Sequence, residues 1–394
     1  MRFKNFFYTL ALVCLLLTSC AKKDQLQMAE ENTGEVTITA LSDQYIVVLK
    51  QDAGLAALDI KGKKDHINAK AIGLLKKYEI TGVPEQVYET VLQGFAMKMS
   101  AEQAVKMLED PTVNYIEADQ MVTLLGKRTS KPVSGTTSAT SAAQNTPWGI
   151  TRVGGGANYT GAGVAWVIDS GIDLTHPDLH VDVSRGISYV TGVTSPNDDN
   201  GHGTHVAGTI AAINNTIGVV GVAAGATVIP VKVLDSTGSG TFSGVLSGIN
   251  FVLANGKAGD VANMSLGGGI SPTIDDAVLK ASAVVKFAIA AGNETDNANN
   301  HSPARANGPN IYTVSAMASG DSWASFSNFS NGPVDYCAPG VSIYSTYKGG
   351  VYANMSGTSM ATPHVAGLLL LGNISTSGFV KNDPDGIADP IASK

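Results

Sequence analysis

Apolar positions along this chain change their spacing several times, and each change marks a different kind of segment. Residues 6–17 are an almost unbroken apolar run behind Arg2 and Lys4. A basic start and a short apolar centre have the order of a signal peptide, and the run is too short to span a bilayer comfortably. Polar residues follow as far as residue 39 and read as a tether. Residues 45–50 (Tyr-Ile-Val-Val-Leu-Lys) then predict a strand, and residues 65–78 a helix. Residues 94–99 alternate, with Phe95, Met97 and Met99 on one face, the pattern of a half-buried strand. Ser100 and Gln103 have capping-box spacing, so a helix should start there and stop before Pro111. Residues 113–117 close this small α+β unit with another strand.

From Trp148 onward, short continuous apolar runs alternate with helical stretches. Residues 164–168 (Val-Ala-Trp-Val-Ile) are apolar throughout, as a strand covered on both faces must be. Helices are expected over 202–213, 242–253, 274–283 and 358–371, and strands over 227–233, 261–264 and 284–290. That order predicts an α/β fold with a doubly wound, mostly parallel sheet. Ligands on such a sheet sit outside the carboxyl ends of the strands. The intervening residues 126–143 are rich in Ser, Thr and Gly and include Lys127, Arg128 and Lys131. They read as a linker, where a protease can cut, and a cut near Ala142 is expected.

Composition narrows the function classes. Hydrophobic residues make up 44% of the chain, so a large core is available and wholesale disorder is excluded. Residues 1–141 carry 16 basic and 16 acidic side chains, so the net −7 belongs to the remainder, whose only arginines are Arg152, Arg185 and Arg305. A phosphate-binding surface needs clustered Lys or Arg, so nucleic acid is excluded as a partner. The three cysteines are Cys14, Cys20 and Cys337. Cys337 is alone beyond the leader and reads as a small buried apolar residue.

Four short segments carry candidate chemistry. Asp169 directly follows the apolar run 164–168, at a strand's carboxyl end, and Gly171 permits a sharp turn after it. His202 opens a helix in Asp199-Asn-Gly-His-Gly-Thr-His205, where Gly203 and Gly208 let the helix approach the sheet closely. His202 and His205 are three apart, which invites a metal, but the pattern of two His four apart with a Glu after the first is absent. His205 is read as structural, and so is His364. Ser359 starts an apolar helix after two small residues, where unsatisfied N–H groups and the helix dipole favour developing negative charge. Asn293, in Ala290-Ala-Gly-Asn293, ends another strand and could donate an amide to an oxyanion.

Asp, His and Ser occur in the order of the subtilisin triad. With residues 142–149, 199–205 and 302–304, they make the stretch from Trp148 to Leu371 resemble the subtilase family of serine proteases, nearest its proteinase K-like branch. Residues 45–50, Gly94-Phe95 and 113–119 resemble the family's inhibitory propeptide, a ferredoxin-like α+β domain. Leu17-Thr-Ser-Cys20 resembles a bacterial lipobox, which implies a lipid on the thiol of Cys20 and an anchored, exported precursor.

The resemblance implies a signal peptide over 1–19, a tether over 20–44, an inhibitory domain over 45–125, a processed linker over 126–143 and a catalytic domain over 144–394. It implies a secreted, self-processing serine endopeptidase with Asp169, His202 and Ser359 as triad and Asn293 as oxyanion donor. Protein or peptide substrate would lie as an added strand against Ser265, Leu266, Gly267 and Gly268 and against Gly238 and Gly240. Ala290, Ala291 and Gly292 would wall a pocket for apolar side chains. No cofactor is implied for catalysis. A structural calcium is implied at Asp335 with the carbonyls of Pro309 and Ile311, oxygen ligands that suit this ion. Asp383, Asp385 and Asp389 are read as turn residues, and the enzyme as a monomer, periplasmic, surface-exposed or extracellular. The rival readings are a pseudoenzyme that only holds peptides and a metallopeptidase using His202 and His205.

Overall fold

The computed structural model describes residues 40–125, 127–128, 143–372 and 374–394. The signal peptide, Cys20 and Ala142 lie outside the described residues. Among the described residues, no helix is long and apolar enough to cross a membrane.

The N-terminal domain runs β1 (Ala40–Leu49), α1 (Ile60–Lys77), β2 (Gln86–Tyr88), β3 (Gly94–Lys98), α2 (Ala101–Met107) and β4 (Val113–Leu124). Its strands form an antiparallel sheet in the order β4-β1-β3-β2. Helix α1 starts earlier than its apolar spacing indicated, because the Asp59 side chain caps it by accepting from Gly62 N. Ser100 and Gln103 form both bonds of the capping box at α2.

One sheet face, with Tyr45, Val47, Phe95 and Met97, packs on residues of α1 and α2 such as Ile67, Leu74 and Met107. The opposite face, with Ile46, Val48 and Ala96, joins the core of the following domain. Strand β3 is therefore buried on both faces rather than half-buried: Ala96, like Phe95, has no exposed area.

A two-residue strand, β5 (Lys127–Arg128), leads towards the second domain. That domain is built on β6 (Ala165–Asp169), α3 (His202–Ala211), β7 (Thr227–Lys232), β8 (Ser239–Thr241), α4 (Phe242–Asn255), β9 (Val261–Met264), β10 (Leu266–Gly267), α5 (Pro272–Ala281), β11 (Lys286–Ala290), β12 (Ile311–Ala318), β13 (Val334–Pro339), β14 (Ile343–Tyr347), β15 (Val351–Ser356) and α6 (Thr358–Leu371). Six of these strands are parallel neighbours in the order β7-β6-β9-β11-β12-β13. Ala165 and Val167 share a core with Val206 of α3 and Val365 of α6, whereas Trp166 and Ile168 share one with Ile249 of α4 and Ile274 of α5. Alternate residues of β6 thus serve helices on opposite faces, which is why the run is apolar at every position.

The chain leaves β6 for β7 on one side and later returns to β9 on the other. The carboxyl end of β6 is thus the point where strand order reverses, the place where a doubly wound sheet opens a crevice. Asp169 stands there. Gly203 lets α3 come close: an added Cβ would lie 2.0 Å from the Gly171 carbonyl oxygen.

Candidate active site

Asp169 and His202 meet at this crevice. His202 Nδ1 lies 2.8 Å from Asp169 Oδ1 and 3.0 Å from Oδ2. A carboxylate can only accept, so Nδ1 carries the proton and Nε2 presents its lone pair. That Nε2 is buried and has no hydrogen-bond partner. Ser170 N also donates to Asp169 Oδ1, at 2.7 Å. Upstream of His202, Asp198 accepts from Gly201 N, Thr204 N and Thr204 Oγ1, which fixes the first turn of α3.

Ser359 is the second residue of α6 and is fully buried. Its hydroxyl donates to the Ser265 carbonyl at 2.9 Å, so it must rotate to reach an imidazole. The orientation of Asn293 is set by Thr358, whose N–H and hydroxyl both donate to Asn293 Oδ1. This turns the amide nitrogen towards the crevice, where it donates to the Leu125 carbonyl. Ser359 N donates to the same oxygen at 3.3 Å. The carbonyl of Leu125, at the end of the N-terminal domain, is therefore held by the two groups that the sequence suggested for an oxyanion.

Strand β4 reaches this point by pairing on both edges. Thr123, Val122 and Met121 pair with Ser239, Gly240 and Thr241, and Leu124 and Thr123 pair with Leu266 and Gly267. Leu124 N donates to Gly238 O at 3.1 Å. A Cβ on Gly238, whose φ is +83°, would lie 2.3 Å from the Leu124 side chain and 3.4 Å from Asn200, which in turn accepts from His202 N. Leu124, which ends β4, and Leu125 just past it thus bond the backbone of Gly238 and the N–H of Ser359. Beyond the crevice, Lys127 and Arg128 pair with Ser356 and Met355.

The Leu125 side chain lines a cavity of about 170 Å³ together with Gly267, Gly268, Ala290, Ala291, Gly292 and Ala304, with Glu294 and His301. The sequence suggested only uncharged walls. Glu294 was missed, although it directly follows Asn293, because its place in the cavity wall depends on a tertiary contact with Asn328. Its Oε2 accepts from Asn293 N at 2.8 Å and from Asn328 Nδ2 at 2.7 Å.

His205 Nε2 sits 2.9 Å from Ile343 O and 3.1 Å from Ala353 O, and burial lowers its pKa to about 3. Nε2 therefore carries the proton, and the remaining lone pair, on Nδ1, is buried without a hydrogen-bond partner. Likewise, burial lowers the pKa of His364 to about 4, with Nδ1 2.8 Å from Met360 O. Cys337 is buried and burial pushes its thiol pKa up.

Among the described residues, no group of three or more His, Cys, Asp or Glu is placed to hold a metal. Asp335 accepts from Thr313 N, and burial with no cation contributing raises its pKa to about 6. A desolvated carboxylate without a compensating charge fits a cation assisted by backbone carbonyls. Asp383 and Asp385 instead accept from backbone N–H groups of their own turn, and Asp389 from Ser315 Oγ.

Two acids of β4 hold the domains together. Glu117 accepts from Thr273 N and from the hydroxyls of Ser271 and Thr273 at the start of α5. Asp119 accepts from Ser243 N at the start of α4. Each places negative charge at a helix N-terminus. Burial nevertheless raises the pKa of Glu117 and Asp119. Burial raises Asp275 to about 6, with Glu117 adding to the shift. Groups raised in the assembled form favour assembly most below their free values, near pH 4, and that contribution is lost as pH rises through the raised values. Once cut free, the N-terminal domain should therefore dissociate faster at about pH 7 than at about pH 5. Size-exclusion of the cleaved complex at the two pH values measures this, and equal rates would contradict it.

The subtilase family model matches residues 161–372, and the peptidase inhibitor I9 model matches residues 44–125. Subtilisin E of Bacillus subtilis (strain 168) is 38% identical over 386 residues, which span 94% of this chain and 89% of that protein. The subtilisin-like serine protease AsES of Sarocladium strictum is 39% identical over 344 residues, spanning 83% and 79% respectively. Among solved structures, a cold adapted subtilisin-like serine proteinase is 37% identical with a TM-score of 0.54, over 62% of this chain and 96% of that one.

Proposed function

We propose, from the premise that this chain belongs to the subtilase family, that Asp169, His202 and Ser359 are its catalytic triad and Asn293 its oxyanion donor. The protein is a serine endopeptidase made as a zymogen, and its N-terminal domain acts as an intramolecular inhibitor. The observation that carries the site reading is the Leu125 carbonyl, which accepts from both Ser359 N and Asn293 Nδ2.

In this reading Ser359 Oγ rotates away from Ser265, attacks the Leu125 carbonyl carbon and passes its proton to His202 Nε2. Asp169 holds the imidazole in the required tautomer and stabilises it once charged. The carbonyl oxygen takes the electron pair, and the N–H of Ser359 and the amide of Asn293 stabilise it. Collapse breaks the bond to Gly126, whose nitrogen leaves with the proton from His202. Water then releases Leu125 from the serine ester by the same steps. The first cut therefore falls between Leu125 and Gly126, and trimming of the linker towards Ala142 follows it. Intact mass and N-terminal sequencing early in processing should find a chain beginning at Gly126. A first product that begins near Ala142 would remove Leu125 from the role of acyl donor.

Substrates are then proteins or peptides bound as β4 is bound. Apolar side chains are preferred at the first, second and fourth residues before the cut, where Leu125, Leu124 and Val122 sit. Asp335, with the carbonyls of Pro309 and Ile311, is the proposed calcium site, and the ion would stabilise the loop without a part in catalysis. The proteinase K-like branch, the export signal and the lipid on Cys20 rest on the sequence motifs alone. On that reading the inhibitory domain stays tethered at the envelope while cleavage frees a monomeric catalytic domain.

A further inference from the structure

We propose that Lys232 is a positioning residue of the triad, its buried ammonium tying the strand end that carries Asp169 to the turn that carries His202. A lysine is almost never fully buried without partners, and the Lys232 side chain has no exposed area. Its Nζ lies 2.6 Å from Ser170 O, 2.7 Å from Asp199 Oδ1 and 2.8 Å from Leu234 O. Three donors meet three acceptors, so the ammonium has no spare N–H and its place is fixed.

Those acceptors are not scattered. Lys232 pairs with Asp169 across the β6–β7 ladder. Ser170, whose carbonyl it holds, is the residue after Asp169 and donates its own N–H to Asp169 Oδ1. The Ser170 hydroxyl donates to Asp198 and accepts from Gly203 N, the residue after His202. Asp199 lies in the turn just before His202, and its carbonyl accepts from Lys348 Nζ. The carboxylates of Asp169, Asp198 and Asp199 gather in this small region, and Lys232 is the fully buried cation among them. Without it the Ser170 carbonyl loses its charged donor and the turn loses its one charged tie to the strand. The Nδ1–carboxylate contact then rests on two segments joined more loosely, through the neutral Ser170 hydroxyl bonded to Asp198 and Gly203 N.

This inference rests on the triad reading above, and the test keeps the two apart. The full-length chain carrying Lys232→Met is allowed to process, and its active sites are counted with a serine-reactive phosphonate. The expected result is a kcat lower by about 10²-fold per titrated site, the size of loss caused by a misplacement of roughly 1 Å. KM should stay within about two-fold of the parent, the pattern of an interaction felt only in the transition state. Should Lys232→Met fail to fold, Asp199→Asn provides the measurement, because the Asp199 side chain is 43% exposed. It should lower kcat several-fold without moving KM. Unchanged kcat in a folded Lys232→Met enzyme, or in Asp199→Asn where the former does not fold, would overturn the proposal. A change in thermal stability or KM alone would overturn it too. Full activity of Ser359→Ala would instead overturn the triad reading itself.

Discussion

Ser359→Ala should yield a full-length precursor that is never cut, with hydrolysis of added peptide reduced by about 10⁶-fold in kcat, the loss known for subtilisin. The substitution removes one oxygen atom from a fully buried helix N-terminus, so folding should be spared. The bond donated to the Ser265 carbonyl is lost, but the Ser359 N–H still donates to Leu125. The inhibitory domain therefore stays seated with an unreacted Leu125–Gly126 bond. Gel analysis of the purified chain reads the precursor directly, and a chromogenic peptide reads turnover. Normal maturation of this variant would show that a different protease performs the cut.

Asn293→Ala should lower kcat by about 10²–10³-fold, the loss known for the corresponding donor of subtilisin. The cause is specific to the transition state. In the ground state the Leu125 carbonyl carries only a partial charge, whereas attack by Ser359 places a full negative charge on that oxygen. The amide of Asn293 is pre-aimed because Thr358 donates twice to its oxygen. A donor held in place need not reorganise as the charge appears, so KM should change much less than kcat. Thr358→Val, which removes one of the two aiming bonds, should show the same pattern with a smaller loss. A rise in KM with kcat intact would place Asn293 in ground-state binding instead.

The side chains proposed as the triad were readable because each sits in a segment whose local pattern fixes its position. Asp169 ends a run that is apolar on every residue, His202 follows the positive-φ Gly201 at a helix start, and Ser359 begins a helix that runs as its apolar pattern indicated, from Thr358 to Leu371. Helix starts set by side-chain caps were less readable. α1 begins at Ile60 because Asp59 bonds Gly62 N, and its exposed first turn carries little apolar signal.

The amino-acid sequence by itself determined the succession of elements, the side chains proposed to carry chemistry and the strand end or helix start on which each stands. Local periodicity and turn chemistry act over a few residues, and a linear pattern records them. Tertiary structure alone decided what those side chains meet. It brought Leu125 to Ser359 N, turned the second face of β3 against the catalytic domain, placed Glu294 in the Leu125 cavity and buried Lys232 between two turns. These contacts join residues far apart in the chain, and their strength comes from excluding water around charges and carbonyls. Only closure of the sheet and docking of β4 create that exclusion, so no short stretch of sequence can carry its signature.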